Sequence, residues 1–143
     1  MKSNIILRGV VAAGLLAASS VAFSQVAVIV NPRSPLASMT PEQVSAIFMG
    51  KSTTLPNGAM AAPADLPESN AARDQFYSKA VGKSPSQVKA TWARLTFSGK
   101  ATPPREMPNA SDVKKHVAAN QDAIGYIEKA AVDSTVKVVL LVE

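Results

Sequence analysis

Hydrophobic positions along this chain change period several times, and each change marks an expected element. Val26-Ala27-Val28-Ile29-Val30 is an unbroken apolar run, the pattern of a strand covered on both faces. Asn31-Pro32 breaks it. After a loop, Thr40-Pro41-Glu42-Gln43 opens a helix: Thr as cap, Pro at the first helical position, Gln three residues after the cap. Val44, Ile47 and Phe48 then share one face, and Gly50 closes the helix. Asn57-Gly58 predicts a turn before a strand from Met60 to Leu66, in which Pro63 signals an edge or an early end.

The period returns to that of a helix from about Asn70 to Val81, with Ala72, Phe76 and Ala80 inward and Gly82 beyond the end. Ser84-Pro85-Ser86-Gln87 repeats the cap grammar before a third helix striped by Val88, Trp92 and Leu95, which Gly99 stops. Thr102 to Pro108, rich in Pro, reads as loop. A fourth helix from Ser111 to about Asn120 places Val113 and Val117 inward, and strands follow at Ile124–Ile127 and Val136–Val142. Strands alternating with short helices imply an α/β layered domain with a largely parallel sheet.

Composition sets the address. Lys2 and Arg8 precede an apolar, Ala-rich segment from Gly9 to Ala18, and Ala22-Phe23-Ser24 has the small-x-small form of a signal-peptidase site. The run is too short for a membrane span and nothing later stops transfer, so residues 1–24 read as a secretory signal peptide and 25–143 as a single domain. The expected mature chain has 119 residues, enough to bury roughly 65% of the surface its unfolded form exposes. Cys is absent. That excludes disulfides, thiolate chemistry and Cys-ligated metal, and leaves no lipid-anchoring Cys. The expected location is the periplasm.

Removing Lys2 and Arg8 leaves 13 Lys and Arg against 10 Asp and Glu, a net charge of +3. The charges are scattered, with only Lys114-Lys115 adjacent. No basic stripe interleaved with aromatics is present, so nucleic-acid binding is not expected. Catalysis is not expected either. His116 is the one histidine, placed beside Lys114 and Lys115 on a face read as solvated. Asp112 and Asp122 read as helix-end residues. One His without Cys supports no transition-metal site, and no cofactor is expected.

The sharpest candidate is the junction Asp65–Phe76, where the Met60–Leu66 strand runs through an acidic Pro turn into the first turn of a helix. Free backbone N–H groups and the positive dipole end make such a junction suited to anions. Ser69, Asn70 and Arg73 there are ligand residues, or else a cap and a surface charge; the sequence leaves both open. Glu68 would repel an anion at the same place. Lys51-Ser52-Thr53-Thr54 offers a cation and three hydroxyls after a helix, and reads as plain loop. Trp92 and Tyr126 are rings able to stack on a ligand, but Trp92 lies on an apolar helical stripe and both read as core.

Taken in order, Val28-Ile-Val-Asn-Pro32, Met39-Thr-Pro-Glu-Gln-Val-Ser-Ala-Ile-Phe-Met-Gly-Lys51, Asp65–Phe76 and Ala123-Ile-Gly-Tyr-Ile127 resemble the phosphate ABC-transporter substrate-binding proteins. The resemblance spans nearly the whole expected mature chain. Its most specific parts are the Ile-Phe-x-Gly-Lys and Ile-Gly-Tyr blocks. It implies a periplasmic-binding-protein-like α/β fold, a layered lobe whose mostly parallel or mixed sheet is flanked by helices. More narrowly, the chain is similar to short members that correspond to one lobe of the two-lobed architecture.

The same resemblance implies a ligand site at Ser69, Asn70, Ala71, Ala72 and Arg73. Full-length phosphate binders carry Arg-x-Asp-Gly-Ser-Gly-Thr at this turn. Aligned through Phe76, Leu66 stands for that Arg, Glu68 for the Asp, and Asn70, Ala71 and Ala72 for Ser-Gly-Thr. Two hydroxyls and a guanidinium are thus missing, and each lost charge-assisted bond forfeits roughly 1.5–3 kcal/mol. The expectation is a non-enzymatic periplasmic protein that binds phosphate or another small inorganic anion weakly at a helix N-terminus. The alternative is a protein-interaction module using the same fold without a small ligand. Either reading implies a membrane transporter or another envelope protein as partner, and the sequence leaves the oligomeric state open.

Overall fold

The computed structural model describes residues 25–143, and the expected signal peptide lies outside them. The elements, in chain order, are β1 (Val26–Val30), α1 (Pro41–Phe48), β2 (Ala62–Asp65), α2 (Ala71–Phe76) followed by a π-helical turn (Tyr77–Val81), α3 (Pro85–Phe97), β3 (Arg105–Glu106), α4 (Ala110–Ala119), β4 (Ala123–Glu128), a 3₁₀ turn (Lys129–Ala131) and β5 (Lys137–Val142). They form a mixed α/β domain built on one five-stranded sheet in the order β3-β2-β4-β1-β5.

Strand directions correct the expectation of a largely parallel sheet. β2 runs parallel to both β3 and β4, while β1 is antiparallel to both β4 and β5. All five residues of β1 are buried. An unbroken apolar run reports burial on both faces, and that burial comes here from a central place in the sheet, with no bearing on strand direction.

Side-chain alternation along β4 separates the layers. A Cβ on Gly125 would lie 2.7 Å from Val113 Cγ1 and 3.5 Å from Val117 Cγ2, so that face carries α4. Tyr126, one residue on, points to the opposite face and packs against Phe48 of α1 and Phe76 of α2. The sheet is therefore sandwiched between α4 and the α1–α2 pair.

The close seat of α4 on Gly125 has a measurable consequence. Gly125→Ala should lose about 1–3 kcal/mol, the cost of overpacking a filled contact. Urea denaturation reads this directly, and a variant as stable as the parent would show that α4 moves away freely.

Helix starts follow local chemistry. Gln43 N–H donates to Thr40 Oγ1 at 3.2 Å while Gln43 Oε1 accepts from Thr40 N–H at 3.0 Å. Ser84 and Gln87 repeat the arrangement at α3. Of the expected α3 stripe only Val88 is fully buried; Trp92 and Leu95 are half-buried. Trp92 Nε1–H donates to the Phe48 carbonyl at 2.9 Å and so ties α3 to the end of α1.

Three further expectations need correction. The strand expected over Met60–Leu66 is shorter, because Met60 belongs to an isolated bridge with Thr54. The helix expected over Asn70–Val81 changes to a π turn at Tyr77 before Gly82 ends it with φ 72°. The segment read as loop, Thr102–Pro108, contains β3, which pairs with β2 at Ala64–Arg105 and Asp65–Glu106.

Candidate functional site

β2 ends at Asp65, and the chain turns through Pro67–Ser69 into α2. Asn70 N–H donates to the Pro67 carbonyl at 2.9 Å, which tightens the turn. The Asn70 side chain then accepts from Ala72 N–H at 2.9 Å and acts as the cap of α2.

Asp65 is buried, with 5% of its surface exposed, and its carboxylate is surrounded by donors. Oδ1 accepts from the Tyr126 hydroxyl and from Leu66 N–H, the latter at 2.8 Å. Oδ2 accepts from the Tyr77 hydroxyl at 2.5 Å and faces Arg73 Nη1 at 3.5 Å. The same Nη1 donates to the Leu66 carbonyl at 2.8 Å. The guanidinium also lies over the Tyr77 ring, 5.2 Å from its centre, a favourable cation–π placement. Tyr126 hydroxyl in turn accepts from Leu66 N–H at 3.2 Å.

The apolar side of the cluster is aromatic. Phe76 stacks on Tyr126 with ring centres 4.0 Å apart, and Phe48 meets Phe76 edge-on at 4.8 Å. Burial, reinforced by the Asp65 charge and hydrogen bond, pushes both tyrosine hydroxyls far above their ordinary pKa. A phenol that is buried and already donating to a carboxylate resists becoming a second anion.

The five residues expected to hold a ligand fall together at this turn, in differing states. Ser69 and Ala71 are exposed, Ala72 is buried, and Asn70 and Arg73 are half-buried. Asn70 caps α2 and Arg73 is joined to Asp65, Leu66 and Tyr77. The chemistry of this arrangement is that of a compensated buried charge: donors satisfy the carboxylate, and the cation offsets it.

Sequence reasoning missed Tyr77 and the carboxylate itself as partners. Tyr126 was assigned to the core and lies there fully buried, yet its hydroxyl carries the polar contact. The available signal was chemical: a tyrosine read as core, Tyr126, requires a buried acceptor for its hydroxyl.

Elsewhere, His116 departs from the solvated face expected for it. It is half-buried, with Nε2 3.3 Å from the Ala62 carbonyl. Ser52 and Thr54 bond to each other across their own turn. Asp112 stands in the first turn of α4 and Asp122 just beyond its end. Among the described residues no group of three or more His, Cys, Asp or Glu could hold a metal ion.

No family model and no curated protein matches the chain. Solved structures do share its fold. A protein assigned as a phosphate ABC transporter substrate-binding protein, with bound phosphate, from Clostridium perfringens aligns with a TM-score of 0.66 at 22% identity, over 81% of this chain and 45% of that one. An ABC-type phosphate transport receptor from Vibrio cholerae gives 0.62 at 22% identity, over 81% and 46%. PstS from Borrelia burgdorferi gives 0.57 at 13% identity, over 81% and 47%. The fold is thus periplasmic-binding-protein-like, and the chain spans about half the length of these neighbours.

Proposed function

We propose that this chain is a non-enzymatic, binding-protein-like module of the phosphate-transporter type. It acts in the periplasm by contact with another envelope protein and does not enclose a free anion. The observation that carries this reading is the commitment of Arg73 to Asp65, Leu66 and Tyr77. An incoming phosphate would have to compete with a buried carboxylate for that cation, beside Glu68 and without the missing hydroxyls. The periplasmic address rests on the leader pattern around Lys2, Arg8 and Ala22-Phe23-Ser24. The partner class, a membrane transporter or another envelope protein, is supported by the fold shared with ABC-transport binding proteins.

The second reading is weak capture of phosphate or another small anion at Ser69, Asn70, Ala71, Ala72 and Arg73. It is favoured by the exposure of Ser69 and Ala71 at the start of α2 and by the phosphate bound in the Clostridium perfringens neighbour.

Calorimetry separates the two. Under the first reading, phosphate gives no heat and no thermal shift up to about 1 mM, a concentration at which even a weak site of about −4 kcal/mol is half filled. A saturable signal abolished by Arg73→Gln and Asn70→Ala would transfer the conclusion to the second reading. Photocrosslinkers placed at exposed positions, Met60, Phe97 and Leu141 among them, should capture a discrete protein adduct in cells. Absence of any adduct from every position would sink the protein-contact reading.

A further inference from the structure

A surface at the other end of β2 from the Asp65 junction has a different character. A half-open trough of about 600 Å³ runs past the N-terminal end of β2, between the last turn of α1 and the far end of α3. Ile47, Met60, Pro63 and Trp92 supply apolar wall, and Met60 is 75% exposed. Lys100, Arg105 and His116 line the same trough, and no carboxylate does. Glu106, next along β3, alternates to the opposite side of the strand.

A second, separate hollow of about 230 Å³ also touches Gly50, and there Lys51, Lys83 and Arg94 stand with Ser45 and Thr91, again with no carboxylate. Gly50 borders both hollows. A Cβ at this position would lie 2.7 Å from Leu95 Cδ1 and 3.0 Å from Trp92 Cη2, and the backbone is left-handed with φ 73°. The bare backbone thus lets α1 and α3 meet closely, with Trp92 and Leu95 packed against it.

None of Lys51, Lys83, Arg94, Lys100 and Arg105 forms an ion pair among the described residues; the pairs there are Arg73–Asp65 and Lys114–Asp133. Five cations around two neighbouring hollows, without a counter-charge in their walls, are complementary to a ligand that is acidic and apolar along its length. We propose that the trough, with the hollow beside it, is the docking surface for an acidic, leucine-like or aromatic-rich extended segment of a partner protein. The proposal rests on the protein-contact reading above.

Shape decides among anionic occupants. A small inorganic anion would fill one corner of the trough and leave the apolar wall around Met60 and Trp92 uncovered. A bilayer surface is flat, and cannot fill a hollow whose apolar side chains line its interior. An extended peptide can lay alternate side chains into the trough while its carboxylates meet the rim.

The chain has a single tryptophan, and it lines the trough, so Trp92 emission reports occupancy directly. The probe is an acetylated and amidated peptide of about six residues alternating glutamate and leucine, a length suited to groove recognition. Titrated into the full chain at low salt, it should shift Trp92 emission saturably, and added salt should weaken it. Lys100→Glu combined with Arg105→Glu should weaken binding on the order of tenfold or more. Both residues are exposed, so the variant should keep the parent's urea midpoint, whereas Lys129→Glu, at an exposed cation outside both hollows, should bind the peptide as the parent does.

The proposal is overturned by no emission change up to about 1 mM peptide, by an equal response to the lysine–leucine counterpart, or by undiminished binding to the charge-reversed variant. It is also overturned if phosphatidylglycerol vesicles shift the emission and the peptide does not. Crosslinked adducts from Leu141 on β5, combined with failure of the peptide, would remove this surface while leaving the protein-contact reading standing.

Discussion

Asp65→Ala should destabilise the domain by about 3–5 kcal/mol, the range for removing one partner from a buried charged network. The carboxylate accepts from two tyrosine hydroxyls and from Leu66 N–H, and it faces Arg73. Without it, Tyr77 and Tyr126, 2% and 0% exposed, are left with buried hydroxyls lacking their acceptor. Each such orphan costs about 1–3 kcal/mol. Asp65→Asn keeps the shape and one acceptor oxygen, and the tyrosine hydroxyls can accept from its amide, so its loss should be smaller. Urea denaturation of the parent and both variants tests the order. An Ala variant within about 0.5 kcal/mol of the parent, an ordinary surface effect, would mean that water replaces the carboxylate and that the cluster is not an integrated part of the core.

This cluster also shows where sequence reading stops. Capping boxes at Thr40–Gln43 and Ser84–Gln87 are legible because both partners lie within one turn. The apolar stripes of α1 and α4 are legible for the same reason: period alone places Val44, Ile47, Val113 and Val117 inside. The Asp65–Tyr126 bond joins residues 61 apart in sequence, and no local pattern couples them. β3 was hidden because it is two residues long, exposed and set among prolines. The π turn at Tyr77 was hidden because it shifts the helical period without any Gly or Pro to mark it. β1 announced its burial, but its direction depends on β4 and β5, which lie far along the chain.

The same tertiary coupling changes the meaning of the junction. As sequence, Arg73 at the start of a helix reads either as a cation for a ligand or as a solvated surface charge. In the fold its guanidinium turns back to the Leu66 carbonyl and the Asp65 carboxylate. A charge that balances a buried anion is less available to a soluble one, because releasing it leaves that anion uncompensated. The basic character of the surface lies instead along α1 and α3, where Lys51, Arg94 and Lys100 have no such internal obligation.

Raising the pH should unfold the domain steeply, and tyrosinate absorbance should appear with unfolding and not before it. Tyr77 and Tyr126 are the only tyrosines in the chain, so near-ultraviolet titration reads this cluster alone. In the folded state burial, then the Asp65 charge, holds both hydroxyls well above the ordinary value of 10.0. Once unfolded, each ionises at its ordinary pKa. Above about pH 10 the unfolded chain therefore binds two fewer protons than the folded one, and stability falls by about 2.7 kcal/mol per pH unit. The sign follows from the raised pKa: the contribution is complete below the unfolded value and is lost as pH climbs past it. Tyrosinate absorbance and the loss of helical circular dichroism should therefore share one midpoint. In Asp65→Asn both should move together to lower pH, since the folded state is weakened while burial still protects the hydroxyls. Tyrosinate forming near pH 10 ahead of any loss of structure would show that the rings breathe into solvent, and that Asp65 is reachable by water and by ligands after all.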